Sequence, residues 1–159
     1  MKQSSNWYFE VNDFLKDLSS IYNMPLIKVC GIMSALSPNN TFASNCRSLN
    51  NFLRTNGNCK VTCFNSQKEK AKQILFADDN ITENEVKDIL GKGLKTRSFF
   101  ENLYRPETSQ AVTVDLWAIR YAKNIGLLPQ KGSLTVKRYK EVESYIQKES
   151  KKIGILPHQ

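Results

Sequence analysis

The sequence contains a single histidine, His158, and it is the penultimate of 159 residues. Its four cysteines, Cys30, Cys46, Cys59 and Cys63, all precede residue 64, and Cys59 and Cys63 have no second ligand pair nearby. Zinc and iron centres need clustered thiolates and imidazoles, so no metal site is expected. Long apolar runs are also missing: nothing approaches the about 20 residues that cross a bilayer, so no membrane partner is expected. The first apolar segment, Trp7–Tyr22, carries Glu10, Asp13, Lys16 and Asp17, which marks an amphipathic helix and not a secretory leader. These absences point to a soluble, thiol-reduced, cytoplasmic protein. Repeats, low-complexity tracts and interdomain linkers are absent too, and a chain of this length supports one domain, 1–159, with a sizeable core.

Acidic residues are in the minority. Lys and Arg number 23 against 15 Asp and Glu, for a formal charge of +8. Residues 1–58 are near neutral, whereas Lys60, Lys68, Lys70, Lys72, Lys87, Lys92, Lys95, Arg97, Arg105 and Lys123 crowd the middle. A further cluster, Lys137 to Lys152, follows near the end. A polyanion is the partner such a balance favours. Most of these side chains read individually as solvated helix faces.

The periodicity is helical nearly throughout, so the expected fold class is all-α. Trp7, Val11, Phe14, Leu15, Leu18, Ile21 and Tyr22 recur at three and four. Pro25 suits the first turn of a second helix, which Ser37-Pro38-Asn39-Asn40 ends while offering caps for a third over Thr41–Leu53. Residues 59–65 read as a short extended piece, and Ser66–Phe76 returns to helical spacing. Thr82-Glu83-Asn84-Glu85 is a capping box. Its helix stops at Leu90, and Leu94–Tyr104 forms the next. Asp115 opens a further helix with Leu116, Ile119, Tyr121 and Ala122 expected on its core side. A terminal helix carries Val136, Tyr139, Val142, Tyr145, Ile146 and Ile153.

Two stretches carry chemistry. Leu90-Gly91-Lys92-Gly93-Leu94-Lys95-Thr96 reads as a helix end, a glycine hairpin and a helix start. Glycines there allow positive φ, and the hairpin amides with the following helix N-terminus would face an anion such as a DNA phosphate. Twenty residues after Lys95, Val112-Thr113-Val114-Asp115 delivers a carboxylate to another helix start.

This pair resembles the helix-hairpin-helix (HhH-GPD) DNA glycosylase superfamily, whose hairpin reads roughly Leu-Pro-Gly-Val-Gly-x-Lys. The match covers about residues 81–125, with the hairpin motif at about 83–104. Lys95 falls where strand-cutting members carry their lysine, and Asp115 ends the Val-x-Val-Asp segment that holds the family's essential aspartate. The proline after Leu90 is missing, and Lys92 replaces the middle hydrophobe. Ser34-Ala35-Leu36-Ser37-Pro38-Asn39, with Asn45 further on, and the ending from Tyr139 through Gln159 look like small phage-encoded members, which would place the protein in a host cell's cytoplasm. The iron–sulfur cluster of some relatives uses four cysteines after the aspartate, and all four here come before it.

What the resemblance implies is a DNA glycosylase with lyase activity on a damaged or modified base. Lys95 would attack C1′, and Asp115 would stabilise the oxocarbenium-like charge as the base departs. Such a lysine needs partial burial or a positive field to lose its proton. Gly91, Lys92, Gly93 and Arg97 would hold backbone phosphate, with no metal or cofactor and DNA as the partner of a monomer. A flipped nucleotide needs a walled pocket, for which Asn39, Asn40 and Trp117 are candidates and Asn45 and Gln110 lesser ones. Two other readings stay open: a base-modifying transferase on the same scaffold, and a DNA-binding module in which Lys95 is one more cation. Asp115 also reads as a helix cap alone, and Asn39 and Asn40 as caps.

Overall fold

Between Leu26 and Ala35 the only charged residue is Lys28, and a helix apolar on every side must be surrounded. In the computed structural model, which describes residues 6–159, that helix is the axle of the molecule. The element order is α1 (Trp7–Ile21), α2 (Leu26–Ala35), α3 (Phe42–Arg54), α4 (Asn65–Phe76), α5 (Glu83–Leu90), α6 (Leu94–Tyr104), α7 (Leu116–Asn124) and α8 (Val136–Ile153). The described residues form an all-α protein. α2 packs against α1, α3, α4, α5 and α6. Gly31 permits this crowding: a Cβ there would lie 2.9 Å from Val86 Cγ1 and 3.2 Å from Ile74 Cδ1. Lys28 is buried, and its ammonium donates to Ala77 O at 2.8 Å and to Asp79 at 2.9 Å, so the charge is paired where it emerges.

Leu15, Phe52 and Phe100 have no exposed surface in the large apolar cluster that α1–α6 build. Burying such a side chain contributes about 1.5–3 kcal/mol each. A second, smaller cluster joins Val112 and Val114 to Ala122, Leu128, Tyr139 and Val142, with Leu94 of α6 packed on it. His158 anchors the last residues: its Nε2 is 2.7 Å from Pro106 O, and its ring packs against Tyr8 and Phe9. Half-burial lowers its pKa from the ordinary imidazole range.

Several expectations are corrected. The 59–65 stretch forms no strand; α4 begins at Asn65. Thr41 itself caps α3, accepting from Ser44 N at 3.2 Å. Leu116 and Tyr121, expected inward, are exposed, as are Val136 and Ile153. α7 has only nine residues and packs through Ala118, Ile119 and Ala122, too narrow a strip to cover the rest. No helix among the described residues is long and apolar enough to cross a membrane.

Candidate active site around the hairpin and Asp115

The capping box starts α5 as expected. Thr82 Oγ1 accepts from Glu85 N at 3.3 Å, and Glu85 Oε2 accepts from the Thr82 hydroxyl and from Thr82 N, each at 2.7 Å, two bonds that hold the Glu85 carboxyl below its ordinary pKa. The helix ends at Gly91, whose φ of 91° lies where side chains with a Cβ are strained. Lys70 closes the hairpin from below: its ammonium donates to Leu90 O at 2.9 Å and would sit 3.2 Å from a Cβ on Gly91.

Arg97 reaches back across this turn. Its Nε donates to Gly91 O at 2.6 Å and to Lys87 O at 3.2 Å, and its guanidinium is 3.4 Å from the Asp88 carboxylate. The Gly91 N–H is also spent internally, on Lys87 O and Asp88 O. Two of the four residues expected at phosphate therefore have the hairpin's own backbone as partners. Lys92 and Gly93 are exposed. Gly93 is the N-cap of α6 and offers no side chain, so the first amides of that helix carry no side-chain cap. Lys95 lies in this first turn and is exposed, without the partial burial expected of it.

The approach to Asp115 is held from three directions. Ser109 Oγ donates to Asn102 Oδ1 at 2.6 Å, and Asn102 Nδ2 donates to Thr113 Oγ1 at 3.1 Å. Tyr8, from α1, donates to the same Thr113 oxygen at 3.0 Å. Burial pushes the Tyr8 phenol up to about 12, so it remains a donor. From α8, the Tyr139 hydroxyl donates to Val112 O at 2.7 Å and accepts from Val114 N at 3.2 Å. Burial raises the Tyr139 phenol too.

Asp115 then caps α7. Its Oδ1 accepts from Trp117 N at 3.0 Å and Ala118 N at 2.9 Å. No hydrogen bond engages Oδ2 among the described residues, so one carboxylate oxygen is fixed and the other is free. Leu94, next to Lys95, packs on the same small cluster as Val112 and Val114, which brings the start of α6 and the Asp115 segment into one region. No ion pair joins Lys95 to Asp115 among the described residues.

The weaker candidates are dispersed. Asn39 is exposed in a left-handed conformation with φ 56°, and Asn40 Nδ2 donates to Leu36 O at 3.3 Å at the end of α2. Asn45 is buried and donates to Met33 O at 3.1 Å. Trp117 stands exposed on α7, with the Arg120 guanidinium 5.1 Å from its ring centre. Gln110 lines an open cleft of about 310 Å³ beside the hairpin, together with Arg97, Glu101, Glu143 and Gln147. Among the described residues no group of three or more His, Cys, Asp or Glu could hold a metal, and all four cysteines are free thiols.

Sequence reading missed the residues that aim Asp115: Tyr8, Asn102, Ser109, Thr113 and Tyr139. Tyr139 was legible only as a core aromatic. An Asn and a Ser in polar surroundings leave no periodic mark.

Residues 1–159 match a family of unknown function, DUF7178, over their whole length, and the protein belongs to that family. No curated protein and no solved structure matches the chain.

Proposed function

We propose that this member of the family is a DNA glycosylase of the helix-hairpin-helix kind, with Lys95 as nucleophile and Asp115 as the stabilising carboxylate. The observation that carries the reading is the Asp115 carboxylate, locked through Oδ1 by two amides with Oδ2 free. A charge held in this way needs no reorganisation when positive charge develops at C1′, which is how a fixed carboxylate lowers such a barrier. The fused elements at Gly91–Gly93 and the uncapped α6 amides suit a backbone phosphate on the same side.

The neutral Lys95 amine attacks C1′ as the C1′–N bond breaks. The base leaves with the bonding pair and is protonated by water. The attached amine sheds a proton, O4′ takes one as the C1′–O4′ bond breaks to leave the iminium, and loss of a C2′ proton then expels the 3′ phosphate by β-elimination. Because Lys95 is exposed in the free protein, its desolvation must come from bound DNA covering the hairpin. The α6 N-terminus and Lys92 supply positive field, while the field of Arg97 is offset by Asp88. No metal or cofactor enters this scheme.

Incubation with oligonucleotides carrying varied modified and damaged bases tests it through release of free base. Release that requires Asp115 is the expected result. No release and no covalent adduct from any of them would end the glycosylase reading; unaltered bases as well would leave a DNA-binding module, which the exposure of Lys95 favours.

The two cations beside the turn should behave differently. Lys92→Ala should weaken DNA binding for all sequences and reduce the salt dependence by about one charge. Arg97→Ala should instead lower thermal stability, because Gly91 O loses its donor and Lys87 O one of its two, with roughly 1–3 kcal/mol at stake. Equal salt slopes in parent and Lys92→Ala would move the DNA surface off the hairpin.

A further inference from the structure

The outer face of α7 carries an aromatic stripe. Trp117, Tyr121 and Ile125 recur at every fourth residue and are 69%, 51% and 43% exposed, with Leu116 beside them at 67%. Large apolar side chains gathered on one outward helix face mark a surface that binds something. The stripe begins two residues after Asp115. Arg120 lies over the Trp117 ring, so a cation is already oriented beside an open π-face. On α8 the Tyr145 phenol lies beside that of Tyr121, which extends the aromatic surface to a second helix. Lys148 and Lys152 follow Tyr145 at three and seven residues, on the same side of α8.

Charge is concentrated in this region. Residues 116–159 contain nine Lys and Arg against three Glu and no Asp, a net +6 out of the chain's +8. A second copy laid over the stripe would bring like charge against like. A duplex would satisfy the cations through its phosphates but keep its base faces stacked inside, leaving Trp117 and Tyr121 in water. Unpaired DNA satisfies both, since each base offers a π-face and each nucleotide a phosphate.

We propose that the Trp117–Tyr121 face is a stacking platform for unpaired DNA next to Asp115, so that the substrate class is single-stranded or locally unpaired DNA. The substrate assignment rests on the glycosylase reading; the binding surface does not.

Titrating the protein with an oligothymidylate of about ten nucleotides, and with a blunt duplex of equal phosphate number, tests this by anisotropy and tryptophan emission. The single strand should bind about tenfold tighter than the duplex at the same salt and quench emission. Trp117→Ala should lose about tenfold in single-strand affinity with an unchanged salt slope, because no charge is removed. Tyr121→Ala should show a smaller loss of the same kind. The other tryptophan, Trp7, packs against Tyr8 and Phe42, so the quench should vanish with Trp117. Trp117 is too exposed for its removal to unfold the protein. Equal affinity for duplex, or parent-like binding by Trp117→Ala, overturns the proposal. A dimer that Trp117→Ala dissociates overturns it as well, since a second copy then covers the face. Trp117-dependent binding with no base released removes the glycosylase chemistry and leaves the platform. Base release from duplex that ignores Trp117→Ala removes the platform alone.

Discussion

Lys95→Gln should abolish borohydride trapping on abasic DNA while retaining most of the parent's DNA affinity. Borohydride reduces the iminium between a lysine amine and C1′, so the adduct reports the attacking residue directly. Glutamine keeps the length and polarity of the side chain but has no nucleophilic amine. On the proposed reading Lys92 and the basic α8 would still hold the backbone, so binding should weaken only by about one charge's worth of salt dependence. Asp115→Asn is the companion. Its carbonyl can still accept from Trp117 N and Ala118 N, so the cap should lose at most about 1 kcal/mol and the fold should persist. Base release should nevertheless drop at least about 100-fold, because the free oxygen no longer carries charge. Trapping that survives in Lys95→Gln would take the nucleophile role from Lys95. Full activity in Asp115→Asn would reduce Asp115 to a helix cap.

Tyr139→Phe should have a large effect although it touches no proposed catalytic atom. The substitution removes one oxygen and leaves the Val112 carbonyl and Val114 amide without a partner, in residues 4% and 1% exposed. Orphaning buried backbone groups costs about 1–3 kcal/mol, which calorimetry or denaturant titration would read. The second consequence is positional. The segment that delivers Asp115 loses its tie to α8, so base release should fall while DNA affinity, set by exposed cations, stays near that of the parent. A variant as stable and active as the parent would show that Thr113, held by Tyr8 and Asn102, suffices to place the segment.

The parts of the molecule that announce themselves in sequence are the ones settled within a few residues. The Thr82–Glu85 box, the stop at Gly91, the bounds of α6 and the Asp115 cap all follow from short-range hydrogen bonding and one glycine. Where the outcome depended on what lies opposite, the sequence was ambiguous. Leu116 and Tyr121 are apolar flanks expected on the core side of α7, yet the small cluster takes only Ala118, Ile119 and Ala122 from that helix. Arg97 looks like any exposed cation until the turn folds back beneath it and presents two carbonyls. Asn40 sits where a cap for the next helix is expected and instead serves the previous one. The ties on Thr113 and Val112 span 105, 11 and 27 residues, and no local pattern encodes such distances.

Those separations bear on the order in which the chain is made. The hairpin and Lys95 join α5 to α6, and the helices α1–α6 that build the large cluster are all synthesised by residue 104. Asp115 follows eleven residues later, but its clamp waits for Tyr139 on the last helix. A nascent chain that stops before Tyr139 therefore contains both proposed catalytic residues but lacks the tie from α8 to the Asp115 segment. On the proposed chemistry, a prematurely ended product would keep the Asp115 cap on α7 but lose the tie that positions the whole segment against the rest of the protein.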